Sequence, residues 1–388
     1  MTTTARDNQI RIGISGSYGG MNLGDEAILA GILGQLRHTL DADITVFSKN
    51  PADTLARHGV ARAISPRSLT RREMVPEIRA LDLFILGGGG ILYDRDAQTY
   101  LREVLIAHEL GVPVVVYAIS AGPLTTQASR RVVREALNGS PSMLITVRDR
   151  QGYRLLEDVG VTQEIHLTAD PAFLLEPEEL SEDALKAEGV ELDRHLVGFS
   201  VREPGPAAPD IRTDEYYALL ANAADYIIER YDAEVVFVPM EKTDVQHSHG
   251  VVAHMQNAER AEILRRRYSP AQILDLMGRF DFVVGMRLHF LIFAALRGTP
   301  FAALPYASKV TGLLDDLDMG TAPLGSVGIG QLIARIDRSW DTRAAIRSKI
   351  NERLPDLRVR AAHTNELLLA LLEGRAGERP VETAPAGH

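Results

Sequence analysis

Arg287 and His289 stand two positions apart in VGMRLHFL, just past a β-branched run and at the start of a long apolar segment. Backbone N–H groups are unpaired at a helix start. An Arg and a titratable His added there make a receptor for a phosphate or a carboxylate. A His on an apolar helix can equally be a satisfied core residue; the adjacent Arg and the strand-end position favour the receptor. Lys309 follows the next β-branched run, and Arg202 follows FSV in the same way. Three cations after successive strands of one unit point to an anionic ligand, with a group beside them that can move a proton.

A second set of polar residues lies near the N-terminus. SYGGMNLGDEAIL joins a short apolar run to a helical pattern. Asn22 orients this loop or contacts a ligand. Asp25 and Glu26 fall in the first helical turn, where negative charge suits the helix dipole. One carboxylate is enough for that, so the other is a candidate general base. LGGGGILYD then sets four glycines directly after an apolar run. Gly88, Gly89 and Gly90 read as a flat backbone surface against which a ligand or another segment lies, with Asp94 where the next element begins. A tight strand-to-helix passage is the alternative. Arg148 and Asp149 read as a pairing and capping couple, and Asp170, before Pro171, as a turn residue. His247, His249 and His254 fall in a stretch that reads as loop and helix start, so no metal site is expected. Without cysteine, no thiolate site or disulfide exists.

The elements that position these residues alternate. Strands are predicted at 10–14, 44–47, 83–86, 114–118 and 144–147, with helical stripes at 26–37, 129–137 and 150–159. The pattern restarts with strands at 196–201, 235–238, 282–284 and 301–304, and helices at 214–231, 270–278 and 288–296. The fold class is α/β: two Rossmann-like doubly wound domains facing a cleft, similar to the GT-B architecture, with C-terminal helices returning to the first domain. The expected division is 1–178 for the first domain, on the acceptor side, and 179–195 for a linker. The second domain, on the donor side, takes 196–340, C-terminal helices take 341–374, and a disordered tail takes 375–388. A chain of 388 residues with 45% apolar content supports two cores. The formal net charge of −10 argues against nucleic-acid binding. No window is long and apolar enough to span a membrane and no signal peptide is visible, so a cytoplasmic protein is expected.

GGMNLGDEAIL, LGGGGILYD, ITVRD, TADPAF, VPMEKTD and GMRLHFLIFAALRGTPFAALPYASKV together resemble the polysaccharide pyruvyl transferase family, in the family's order, from about residue 12 to 315. The flavour is that of bacterial enzymes acting on a cell-wall-linked sugar. The resemblance implies phosphoenolpyruvate as donor substrate, no cofactor, and a pyruvyl ketal on two hydroxyls of one sugar as product. It associates Arg287, His289 and Arg202 with phosphoenolpyruvate. YAISAGPL, ILYDRDAQ and YASKV depart from the family's usual versions; the first two lie on the expected acceptor side.

On this reading, Arg202, Arg287 and Lys309 hold the donor. His289 protonates the enol carbon or assists phosphate departure. Asp25 is the base for the sugar hydroxyl, and Asn22, Glu26, Gly88–Gly90 and Asp94 complete the substrate site, Glu26 being also the candidate cap. The implied partners are a sugar acceptor carried by a lipid or a nucleotide, the inner face of a membrane as a peripheral surface, and a second copy of the chain. Two other classes stay open: a nucleotide-sugar glycosyltransferase with Arg287 and Lys309 on a diphosphate, and a non-catalytic glycan-binding relative.

Overall fold

β-Branched and apolar runs separated by amphipathic helices fold into two parallel sheets. The computed structural model describes residues 9–203, 211–304, 308–320 and 328–378. The first unit contains β1 (Ile10–Ser15), β2 (Ala42–Phe47), β3 (Arg62–Ile64), β4 (Leu83–Leu86), β5 (Gly89–Leu92), β6 (Val114–Ala121), β7 (Leu144–Val147) and β8 (Ile165–Leu167). They run in the order β3-β2-β1-β4-β6-β7-β8, with β5 pairing β6 beyond the end of β4. The connecting helices are α1 (Leu23–Thr39), α2 (Pro51–His58), α3 (Arg71–Arg79), α4 (Ala97–Glu109), α5 (Gln127–Leu137) and α6 (Arg150–Val159). Every residue of β4 and β6 is buried, as parallel strands covered on both faces must be.

After a short helix, α7 (Glu182–Lys186), the second sheet is built from β9 (His195–Ser200), β10 (Ala233–Phe237), β11 (Ala261–Ile263), β12 (Phe282–Gly285) and β13 (Phe301–Ala303). It is parallel, in the order β11-β10-β9-β12-β13. Its helices are α8 (Thr213–Tyr231), α9 (Lys242–Val252), α10 (Pro270–Met277), α11 (Leu288–Leu296) and α12 (Ser308–Asp316), followed by α13 (Ile329–Asp341) and α14 (Arg343–Glu378).

The segment expected as a connection is packed rather than extended. Leu185 and Val190 are buried, and Glu188 accepts hydrogen bonds from the backbone of Arg265 and Arg266 and from the Tyr268 hydroxyl. As expected, the last helix returns to the first unit: Arg360 donates to the Thr168 carbonyl, Thr364 bonds Thr168, and Asn365 donates to Thr39. One apolar cluster accordingly runs from Ile28 and Ile32 of α1 through Phe173 to Phe290 of α11 and Leu357 of α14. Of the predicted tail, 375–378 continue α14 and the remainder lies outside the described residues.

Three differences from the expected elements have physical causes. β3 and β8 are edge strands of three residues that are mostly accessible, too short and polar to show a period. Gly89 and Gly90 enter a strand instead of forming only a loop. His247 and His249 lie within α9, where His247 meets the Tyr217 hydroxyl at 2.8 Å, while His254 follows it and meets the Gly250 carbonyl at 2.8 Å. Among the described residues, no helix is long and apolar enough to cross a membrane.

Candidate active site

The loop from β1 into α1 carries three polar residues with three different tasks. Asn22 is the N-cap: its Oδ1 accepts from the N–H groups of Gly24 (2.9 Å) and Asp25 (3.3 Å). Its Nδ2 donates to Glu241 Oε2 of the second unit at 2.8 Å, and the adjacent Leu23 N–H donates to the Met240 carbonyl at 2.8 Å. The start of α1 is thereby stitched to the end of β10. Met21, at φ 60, takes up the left-handed turn that this stitching requires.

Asp25 and Glu26 are successive residues, so they point about 100° apart around the helix. Glu26 faces inward. It is fully buried, with Oε1 accepting from the Gly19 N–H and Oε2 against His58 Nε2, both at 2.8 Å. This corrects its expected place in the substrate site: one oxygen holds the glycine loop and the other is against His58 at the end of α2. Asp25 faces the second unit. Burial pushes its carboxyl above the ordinary range, opposed by His289, by a hydrogen bond from Ser17, and by Lys309 and Lys49. A carboxylate that is costly to ionise yet surrounded by cations is suited to accept a proton.

His289, in the first turn of α11, lies directly on Gly24. A Cβ built at Gly24 would fall 2.0 Å from the His289 Nδ1, so only glycine permits this approach between the two units. On the other side, His289 Nε2 lies 3.4 Å from Asp170 Oδ2, off line for a hydrogen bond. Asp170 also contacts Arg148 Nη1 and accepts from the Ala172 N–H at 2.9 Å. Burial opposes ionisation of Asp170, but Arg148, His289 and the Ala172 N–H outweigh it and hold the carboxyl well below its usual range. Arg148, Asp170 and His289 therefore form a row that crosses between the units. Lys309 borders this row, lining with Arg148, Asp170 and Leu288 a narrow cavity of about 30 Å³, room for one water.

The expected arginines are present, but carboxylates accompany them. Arg287 Nε donates to Asp244 Oδ2 at 3.0 Å and its Nη2 to Asp244 Oδ1. The same Nη2 lies 2.9 Å from Glu241 Oε1 and 3.7 Å from Glu203 Oε2. Arg202 pairs with Glu203. Two arginines thus share three carboxylates, and Glu241 joins Arg287 to Asn22. Burial pushes the Asp244 carboxyl up, with Arg287 opposing. Glu241 is held below its ordinary value: burial raises it, but Arg287 and hydrogen bonds from Thr243 and Asn22 prevail.

The glycine run is mostly explained by packing. Space at Gly87 is taken by Tyr18, at Gly88 by Ile28, and at Gly90 by Tyr93. Gly89, at φ +99, is the one that borders Asp25, with 3.7 Å between its added Cβ and Oδ1. Asp94 accepts from the backbone of Thr125 (2.9 Å) and Thr126 (3.1 Å), fastening the loop after β6 to that after β5. Asn22, Asp25, Arg287, His289, Lys309 and Arg202 thus come together at the contact between units, Gly89 borders them, and Glu26 and Asp94 serve the scaffold. Arg148 and Asp170, read as cap and turn, belong with His289. Ser17, Lys49, Glu203, Glu241 and Asp244 were not singled out. The signal for Glu241 and Asp244 was their place in VPMEKTD, just past a strand.

Two parallel doubly wound units, with polar residues of both meeting beyond their strand ends, define a GT-B-like protein. The fold is similar to a putative UDP-N-acetylglucosamine 2-epimerase from Listeria monocytogenes, with a TM-score of 0.63 at 12% identity over 98% of this chain and 100% of that one. It is similar also to Alr3699/HepE of Anabaena, a structure in complex with UDP-glucose, with a TM-score of 0.60 at 14% identity over 94% and 100%. The chain belongs to the polysaccharide pyruvyl transferase family, whose model matches residues 22–308, and is thus a polysaccharide-modifying transferase. It is 21% identical to the amylovoran biosynthesis protein AmsJ of Erwinia amylovora over 88% of this chain and 94% of that protein.

Proposed function

We propose that the protein transfers pyruvate from phosphoenolpyruvate to two hydroxyls of one sugar in a surface polysaccharide or its precursor, forming a ketal. The observation that carries this reading is the meeting of Asp25 from one unit with His289 from the other, beside Lys309 and the Arg202–Arg287 cluster. Ketal formation needs an acid for carbon, a base for oxygen and cations for the donor, and these are the groups supplied. Arg287, Arg202 and Lys309 bind the donor's carboxylate and phosphate. His289 gives a proton to C3 of the enol, a sugar hydroxyl bonds to C2 as Asp25 takes its proton, and the C2–O bond to phosphate breaks. The second hydroxyl oxygen then bonds to C2 and closes the ring, its proton passing to the departing phosphate. Asp170, held by Arg148, places a carboxylate 3.4 Å from the imidazole Nε2. No cofactor enters this scheme, and the acceptor is carried by a lipid or nucleotide at the inner membrane face.

The test is turnover in D2O. With phosphoenolpyruvate and acceptor, the protein should release phosphate and place one deuterium in the ketal methyl. His289→Gln should still bind phosphoenolpyruvate and release phosphate at least ~100-fold more slowly. Sugar transfer from a nucleotide sugar, with no phosphate released from phosphoenolpyruvate, would replace this reading with a glycosyltransferase.

A further inference from the structure

A second pocket between the units is lined in part by the two residues that flank Asn22. Met21 and Leu23 form one wall, and the ends of β10 and β11 form the other. Its volume is about 260 Å³, just below the range for small-molecule sites. The floor is apolar, made by Met240, Leu264 and Ile273. The rim carries Arg57, Lys242, Arg265, Arg266 and Arg267. Five cations around one cavity stand out in a chain whose formal net charge is −10.

Two of these cations have structural duties. Arg57 is paired with Asp53 and also donates to the Tyr268 carbonyl, which latches α2 to the loop after β11. Arg266 lies 3.9 Å from Glu188. That carboxylate also fixes the loop through the backbone N–H groups of Arg265 and Arg266. Arg265, Arg267 and Lys242 have, among the described residues, no carboxylate at ion-pair distance, and both arginines are exposed. The loop is held by its backbone, and apart from the influence of Arg265 on Glu262 the exposed guanidiniums of Arg265 and Arg267 meet no close carboxylate, which is the arrangement expected of a phosphate receptor. The one carboxylate of the wall, Glu241, is already paired with Arg287.

We propose that this pocket holds the diphosphate ester end of the acceptor, with its phosphates on Arg265, Arg267 and Lys242 and the attached group on the apolar floor. Identifying the ligand as the acceptor rests on the pyruvyl-transfer reading; the site itself does not. Leu23 of the pocket wall and Asp25 are two residues apart in the first turn of α1, so a single acceptor can present its sugar hydroxyls to Asp25 while its diphosphate is anchored here. Either a prenyl chain or a nucleoside satisfies the chemistry of charged rim and apolar floor.

The full-length protein is titrated by calorimetry with geranyl diphosphate, UDP and inorganic pyrophosphate, and separately with phosphoenolpyruvate. At least one ester should bind more tightly than pyrophosphate. Preference for geranyl diphosphate assigns a lipid carrier and preference for UDP a nucleotide carrier. The Arg265→Gln/Arg267→Gln variant should weaken ester binding about 100-fold, roughly tenfold per charge-assisted contact, and leave phosphoenolpyruvate binding unchanged. Arg267→Gln alone, about tenfold weaker, serves if the double variant melts early. Unchanged ester affinity in these variants, no binding by the wild type, or competition between ester and phosphoenolpyruvate overturns the proposal. Equal affinity for all three diphosphates overturns the role of the floor. Loss of phosphoenolpyruvate turnover with ester binding intact would overturn only the pyruvyl-transfer reading.

Discussion

Gly24→Ala tests the contact between the units without removing any functional group. Gly24 is helical and has no left-handed φ, so helix propensity alone predicts that alanine stabilises the protein by about 0.5–1 kcal/mol. The structure predicts the opposite. The new Cβ would lie 2.0 Å from His289 Nδ1 and 2.5 Å from its Cγ, where an ordinary contact begins at 3.4 Å. The ring must therefore retreat by about 1.4 Å, the difference between 3.4 and 2.0 Å. Overpacking of this kind costs about 1–3 kcal/mol, which cancels or exceeds the propensity gain. Displacing a reacting group by more than 1 Å costs about 100-fold in rate. Phosphate release from phosphoenolpyruvate should fall by that factor, with donor affinity retained because the cations are untouched. Urea unfolding should show unchanged or lower stability. In a His289→Ala background the clash is gone, and Gly24→Ala should then stabilise by about 0.5–1 kcal/mol. A Gly24→Ala protein that is more stable than wild type and fully active would refute the packing of His289 on α1.

Burial raises the Asp25 carboxyl above its unfolded value of about 3.9. Its charge therefore opposes folding above the raised value and has no effect below the unfolded one. Asp25→Asn should hold or slightly raise stability at neutral pH in a urea titration while abolishing turnover, and the wild-type rate should fall as pH drops through the raised value. Glu26→Gln should cost about 1–3 kcal/mol by disturbing the bonds to Gly19 and His58. Donor binding should be unchanged; a loss of donor affinity at full stability would return Glu26 to the substrate site. Asp170→Asn removes the nearer of two carboxylates from the buried Arg148, leaving Asp149 at 3.8 Å, and should cost up to about 3 kcal/mol, the low end for breaking a buried pair. Because the folded Asp170 carboxyl is depressed, the stability it contributes is present above the unfolded value and is lost only as pH falls towards the folded one. Acid unfolding of the variant should lack that component.

The alternation of the chain was legible because each central strand is a short run buried on both faces and each helix shows a stripe. The site was legible only where one element carried the whole signal, as in GMRLH. Asp25 and Glu26 could not be told apart from the sequence, since both sit in one helical turn and both suit its dipole. What separates them is the position of the second unit, which Asp25 faces. Asp170 read as a turn residue, and it is one: it caps the short turn after β8 with one oxygen. Its other oxygen meets His289, 119 residues further on, and no local pattern encodes that meeting. The same holds for Asn22 and Glu241, separated by 219 residues. Pairs that join two units are invisible to periodicity because neither residue is unusual where it stands. The glycine run reads as a surface for a ligand or for another segment, and the structure takes the second branch: Tyr18, Ile28 and Tyr93, the protein's own side chains, fill the space at Gly87, Gly88 and Gly90.

The three carboxylates around Arg287 bear on how an anionic donor enters. Arg202 and Arg287 supply two positive charges where Glu203, Glu241 and Asp244 supply three negative ones. A multiply charged donor needs a carboxylate to yield. Asp244 is fully buried and bidentate on Arg287, so its removal would leave that buried arginine with only Glu241 at 2.9 Å and Glu203 at 3.7 Å. Glu241 is tied to Asn22 as well as Arg287. Glu203 is the one free to move: its side chain is 34% accessible and it lies 3.7 Å from Arg287. It pairs with Arg202, so on the proposed reading it competes with the donor for that guanidinium. Glu203→Gln should therefore tighten phosphoenolpyruvate binding. A partly exposed charge near a second charge contributes on the order of 1 kcal/mol after solvent screening, so the gain should be roughly fivefold in Kd. The gain should shrink at high salt. Weaker binding in Glu203→Gln would mean that the carboxylate holds Arg202 in place for the donor and does not compete with it.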